Sequence, residues 1–409
     1  MQTEEKNSTP ETYFLSAPRE QSHLDEFISA LQRWQSGQMP GYLVIVPEDA
    51  DEEPVRELIR QLPVSPADAH LVLPTSGSTG LAPTLVVLSQ RALGASARAT
   101  EAALEGPGMW VLSLPLQHIA GIQVVLRSLT SGRAPLVTDT WPKFSPDSLA
   151  RAVNRCENSV PLYTSLVSPQ LVSLLQNSHA TRECRRFSTI LLGGGRIDVD
   201  LLARARDAGL NVTTTYGMTE TCGGCVYNGI PLENTQIAIE EDTERVLIAS
   251  DALMDDYLRS PSFETETHWV ERAAIKYFRT PDVGTIDAEG RLRITGRTDD
   301  IVNSGGVKVV LGPIQDALSN IPGVHDCAIC AIDDPVWGQT VAALVVQREQ
   351  GRDPLALRNS VAETLGTPYA PRVIVYADTI PRTALGKVRT TEVKAAVEDA
   401  IRSGSAWKR

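Results

Sequence analysis

Short apolar runs alternate with stretches of helical length through the first half of the chain, and this alternation restricts the fold more than any other feature. Strand-like runs occur at Gly41–Val46, Leu71–Leu73, Leu85–Leu88, Met109–Leu114, Ala134–Val137, Val160–Tyr163, Thr189–Leu192 and Asn211–Tyr216. Helical patterns fall at Leu24–Trp34, before Leu62, from an N-capping Ser89 to Leu104, and at Ile119–Leu129, Pro146–Cys156, Pro169–Gln176 and Asp198–Ala208. Strands separated by helices of this length predict a large doubly wound α/β domain. Residues 1–40 are otherwise polar and weakly patterned. From about Gln236 the runs shorten, as at Arg245–Ala249 and Arg291–Thr295, which predicts a small β subdomain. After Gly296–Asp300 a different order follows: strand Val307–Val310, helix Pro313–Asn320, strands Cys327–Ile332 and Val341–Val346, helix Pro354–Leu365, strand Arg372–Tyr376, helix Thr391–Ile401. This is a second, α+β domain of ordinary size. The expected division is 1–295 and 300–409, joined through 296–299.

Two domains suit a chain of 409 residues. A net charge of −12 argues against a general nucleic-acid binder, which needs a basic face. No run approaches the ~20 apolar residues of a membrane span. The start, Met1–Lys6, lacks a basic segment leading into an apolar one, so a cytoplasmic location is expected. Cys222/Cys225 and Cys327/Cys330 form CxxC pairs. Structural zinc usually brings such pairs within ~15–20 residues of each other. These are much further apart, and buried thiols are the other reading.

Four stretches carry chemistry. Thr75-Ser76-Gly77-Ser78-Thr79-Gly80 joins two apolar runs. Its small residues can turn N–H groups and hydroxyls toward one point, as a polyphosphate requires, or form an ordinary polar turn. It is not the lysine-bearing phosphate loop, because Leu81 follows Gly80. In Thr215-Tyr216-Gly217-Met218-Thr219-Glu220, a strand ending at Tyr216 turns at Gly217 and presents Thr219 and Glu220 at the carboxyl edge of the sheet, where open α/β folds bind ligands. A hydroxyl beside a carboxylate suits phosphate and Mg²⁺, or caps a helix. Asp282 precedes Gly284 in a turn-like segment and can accept from ribose hydroxyls or simply make the turn. Lys387 sits in the turn-rich loop Pro381–Arg389, where a lysine is most often only a solvated charge.

The order and spacing of these stretches resemble the adenylate-forming enzymes, the superfamily of acyl-CoA synthetases, over roughly residues 70–400. The resemblance implies ATP, Mg²⁺ and CoA as cosubstrates and cofactor, and a small carboxylic acid as substrate. It implies that Thr75–Gly80, Gly194, Gly195 and Thr215–Met218 hold the nucleotide, that Glu220 binds Mg²⁺ beside Thr219, and that Asp282 and Arg297 meet the ribose. It also implies a hinge at Asp299, a catalytic Lys387 on a mobile lid domain, and a CoA-facing loop with Gly305, Gly306 and Lys308. A narrower likeness, in Leu114–Gly121, Tyr163–Val167 and Thr215–Tyr227, is to the o-succinylbenzoate–CoA ligase family of menaquinone biosynthesis. It implies an acyl pocket at His118, Thr164, Ser165, Gly193, Gly223 and Gly224. A second copy of the chain is the one protein partner left open.

One departure stands out. The family carries a base in TGxPK, whereas Thr79-Gly80-Leu81-Ala82-Pro83-Thr84 has none. That leaves a ligase for another aryl or aliphatic acid, or a catalytically weakened nucleotide- or acyl-binding protein, as alternatives. With that base absent, nearby cations are few in the placed motifs, Arg196 being the other candidate, so the second carboxylate of the acid is expected to meet mainly neutral donors: Thr164, Ser165 and the N–H groups around Gly223 and Gly224, with His118 as a wall.

Overall fold

Strands that bury both faces read as continuous apolar runs, and those of the first unit's larger sheet divide their side chains between two cores. On the strand Met109–Leu112, Trp110 and Leu112 enter one core while Val111 enters the other. On Thr189–Gly193, Leu191 faces the first and Ile190 and Leu192 the second. The computed structural model describes residues 11–47, 52–62, 69–75, 84–156, 159–258, 268–304, 306–347, 353–382, 386 and 388–409. Two compact units emerge: Met1–Gln236 with Ala249–Phe278, and Ile237–Ile248 with Arg279–Arg409.

The first unit holds two sheets. The larger runs Ile230–Pro231, Gly223–Tyr227, Val212–Met218, Thr189–Gly193, Leu162–Val167, Met109–Leu112, Leu136–Val137. The last five are parallel, and the two at the other end are antiparallel. The chain leaves Met109–Leu112 first to one side and then returns to the other as Leu162–Val167. Their carboxyl ends therefore flank a topological switch point, the usual crevice for a ligand. The helices Gln90–Ala103 and Ile119–Thr130 pack on one face.

The smaller sheet runs Thr12–Ala17, Tyr42–Pro47, His70–Thr75, Thr84–Ser89, Asp256–Leu258. Thr12–Ala17 corrects the weakly patterned reading of residues 1–40: its Tyr13 and Leu15 pack on one core and Phe14 on another. Its partner Tyr42–Pro47 is parallel and distant in sequence, so no local turn signals it. Strand ends also moved. Leu162–Val167 extends past Tyr163, and Val212–Met218 past Tyr216, so Gly217 is a strand residue and not the turn.

In the second unit, Val324–Asp334 and Gly338–Gln347 form a long hairpin, with Val373–Tyr376 parallel to the second strand. Leu311–Ser319 and Pro354–Leu365 cover one face and Thr390–Ser403 the other. Cys327 enters one of these cores and Cys330 the opposite one, as residues an odd number apart on a strand must. All six cysteines are buried and free. No helix among the described residues is long and apolar enough to cross a membrane.

Candidate active site

Close backbone approach builds the site at the carboxyl edge of the larger sheet. A Cβ on Gly193 would lie 2.3 Å from Thr215 Oγ1, and one on Gly217 would lie 2.1 Å from the Gly223 carbonyl oxygen. Only glycine fits either place. Thr215 Oγ1 donates to the Leu192 carbonyl at 3.3 Å, which ties the two strand ends together. Gly217 pairs with Gly224 and Met218 with Gly223, so the expected nucleotide segment folds back directly onto the expected acyl segment. Gly194 has φ +85° and leads the chain off the sheet, with Gly195 and Arg196 exposed beyond it.

The turn itself is Thr219–Cys222. Thr221 is fully buried; its Oγ1 accepts from Met218 N at 2.9 Å and donates to the Gly223 carbonyl at 2.6 Å. Cys222 takes a left-handed φ of +51°, unfavourable for a residue with a Cβ. Its carbonyl accepts from Ser96 Oγ at 2.9 Å and Gln123 Nε2 at 2.8 Å, one from each covering helix. Glu220 is set by its neighbours: its carbonyl accepts from Met254 N, and its Oε1 accepts from Tyr257 OH at 2.6 Å. A half-buried carboxylate oriented by one donor is a hard oxygen ligand of the kind Mg²⁺ takes.

The switch point carries His118. It is the N-cap residue of Ile119–Thr130, half-buried, with no side-chain capping bond. Ser165 is buried on Leu162–Val167. Thr164 corrects an expectation: it lies inside that strand, fully buried, and donates its hydroxyl to the Val111 carbonyl at 2.9 Å. Its proton is committed to the sheet.

A second finding concerns charge. Arg127, one turn beyond Gln123 on the same helix, is only 6% exposed. Its guanidinium lies 5.3 Å from the Trp110 ring centroid, and its Nη2 lies 3.8 Å from where a Gly223 Cβ would be. Its Nε has no hydrogen-bond partner, and no carboxylate among the described residues forms an ion pair with it. A buried cation thus stands beside the expected acyl segment, where mainly neutral donors were foreseen. Its signal was the Gln123/Arg127 pair, two polar residues at i, i+4 on an otherwise apolar helix.

In the second unit, Asp282 is 6% exposed and pairs with Arg297 at 3.1 Å on neighbouring strands. Asp299 is in the short turn Thr298–Asp300. Gly306 has φ +85° at the tip of the Ile301–Ser304/Val307–Val310 hairpin, and Lys308 is exposed next to it. Thr75 ends its strand opposite Thr84. Ser76, Gly77, Ser78, Thr79, Gly80, Gly305 and Lys387 lie outside the described residues.

A glycine-pinned hairpin with an oriented carboxylate, at the carboxyl edge of a doubly wound sheet, defines a nucleotide-using α/β enzyme. Residues 6–248 match the AMP-binding enzyme family, and 314–387 its C-terminal domain, so the chain belongs to that family. It is 36% identical over 367 residues to a probable 2-succinylbenzoate–CoA ligase of Mycobacterium tuberculosis, covering 88% of this chain and 92% of the other. It is 28% identical to the 2-succinylbenzoate–CoA ligase of Lactococcus lactis, covering 70% and 61%. Among solved structures it is similar to o-succinylbenzoate CoA synthetase from Bacillus subtilis in complex with its acyl-adenylate intermediate (TM-score 0.71, 24% identity, 94% and 83% covered). The same enzyme with ATP and magnesium ion gives TM-score 0.71 at 22% identity, covering 95% and 90%. These structural likenesses show the fold.

Proposed function

We propose that this chain is an ATP-dependent acid–CoA ligase that converts o-succinylbenzoate to its CoA thioester through an acyl-adenylate, in the cytoplasm. The observation that carries the reading is the Thr215–Gly224 hairpin, which sets the strand expected to hold the nucleotide against the one expected to meet the acyl group, with the buried Arg127 beside it. The name of the mycobacterial relative supports the acid. In the first half-reaction the aliphatic carboxylate attacks the α-phosphorus of ATP, and pyrophosphate leaves. Such displacements are driven by positioning and charge stabilisation. Thr75–Gly80 hold the leaving phosphates, Asp282 and Arg297 the ribose, and Lys387 offsets charge at the reacting oxygens. Glu220 would hold Mg²⁺, whose charge would offset that of the phosphates. Arg127 takes the ring carboxylate as its missing counter-ion, and His118 walls the pocket.

In the second half-reaction the C-terminal domain turns about Asp299, exchanging Lys387 for the Gly305–Lys308 hairpin. The CoA thiolate then attacks the acyl carbon and AMP leaves. Hinge residues that absorb a dihedral change are a common way to complete a site. Pyrophosphate release across a panel of acids tests the reading. Release with o-succinylbenzoate alone is expected. Release with benzoate or a fatty acid, and none with o-succinylbenzoate, would move the substrate; no release with any acid would support a binding protein.

A further inference from the structure

Arg382 reaches both Gly386 and Val388, the residues that flank Lys387 in sequence. Arg382 Nη2 donates to Asp326 Oδ1 at 2.7 Å and its Nε to Oδ2 at 3.3 Å, a two-pronged pair. Its Nη1 donates to the Gly386 carbonyl at 2.9 Å. Arg382 also bridges Val388 through the backbone, and Arg389 N donates to the Pro381 carbonyl at 3.0 Å. The residues on either side of Lys387 are therefore fixed to the start of the segment, and Arg382 is fixed to the sheet. Asp326 lies just after a register shift in Val324–Asp334 and is itself paired with Val346 in the ladder. Its Oδ1 also accepts from Cys327 N at 2.9 Å.

The ion pair itself is half-exposed, at 34% and 36%. A pair so placed adds little to stability, typically ~0–1 kcal/mol. What it supplies is geometry: one planar guanidinium meets a carboxylate in two bonds and a loop carbonyl in a third, which a lysine ammonium does not reproduce. We infer that Arg382 is a positioning residue for adenylation, holding the Lys387 segment to the sheet through Asp326 and Gly386. This rests on the role of Lys387 given above.

The test compares Arg382→Ala, Arg382→Lys, Asp326→Asn and Lys387→Ala in the full-length protein. Two half-reactions are measured: single-turnover pyrophosphate release, and thioester formation from supplied acyl-adenylate and CoA. Misplacing a catalytic group by about 1 Å costs on the order of 10²-fold, so Arg382→Ala should lose roughly that in adenylation. Its KM for ATP should change little, and its thioester step should be spared, which also shows that it is folded. Arg382→Lys should recover only a small part. Asp326→Asn, which leaves the Gly386 bond in place, should fall between the parent and Arg382→Ala. Equal loss in both half-reactions, or full recovery by Lys, would overturn the inference. If Lys387→Ala itself adenylates normally, the role of Lys387 fails and the inference fails with it; the Lys387 variant reports that outcome separately.

Discussion

Replacing Arg127 by methionine should separate recognition of the acid from everything else the site does. Methionine keeps most of the volume and removes the charge. The guanidinium is 6% exposed, has an unpartnered Nε, and touches Trp110 in a cation–π contact. Such a contact is worth about 0.5–2 kcal/mol. Burying a cation without a counter-ion costs a comparable or larger amount, which the variant recovers. The two terms oppose, so the thermal midpoint should move by no more than about 3 °C in either direction. Binding is different. A charge-assisted bond to a carboxylate contributes about 1.5–3 kcal/mol, or roughly 10- to 150-fold in affinity. The KM for o-succinylbenzoate should rise by that factor, while the KM for ATP stays put. The decisive comparison is 4-oxo-4-phenylbutanoate, which lacks the ring carboxylate: the variant should handle it as the parent does. Equal losses with both acids would mean that Arg127 merely supports the helix. No loss with o-succinylbenzoate would restore the neutral pocket first expected from the sequence.

Three other substitutions have definite expected outcomes. Asp282→Ala should raise the KM for ATP about tenfold or more with little effect on the acid, since it removes a buried acceptor and releases Arg297; an unchanged ATP dependence would leave Asp282 only as a strand residue that pairs with Arg297. Asp299→Pro should still release pyrophosphate but stall before the thioester, because proline fixes φ near −65°, and normal overall turnover would rule it out as the hinge. Glu240 bears on pH. Burial pushes its carboxyl up, but bonds from Thr243 and from Arg279 at 2.5 Å, with the charges of Arg279 and Arg245, outweigh burial and hold it below its ordinary value. Stability from a depressed carboxyl is present above its unfolded pKa and lost as pH falls through the folded one. Glu240→Gln should therefore be less stable than the parent near pH 7, by on the order of 1 kcal/mol. The gap should close on chemical denaturation below about pH 4, and a gap that persists there would refute the assignment.

The architecture was legible because both cores are fed by short apolar strands whose separation by helices leaves few alternatives. The Thr215–Gly224 stretch was singled out because its residues are neighbours in sequence, although it folds as one hairpin whose turn lies at Thr219–Cys222 and not at Gly217. Errors arose where the deciding contact is distant. Thr12–Ala17 becomes a strand only beside a parallel partner, and Thr164 was misplaced because Leu162–Val167 runs deeper than its most apolar residues suggest. Arg127 was missed for a related reason: an arginine on a helix is ordinarily solvated. Yet the helices did carry a sign. Ser96 and Gln123, polar and buried in apolar surroundings, both end on the Cys222 carbonyl, and Arg127 lies against the next residue, Gly223. Each violates the apolar pattern of its helix at a cost in stability, and violations that converge on one backbone turn are hard to explain by packing alone. They are explained if that turn, held at a left-handed Cys222, must present its strand end to a charged ligand.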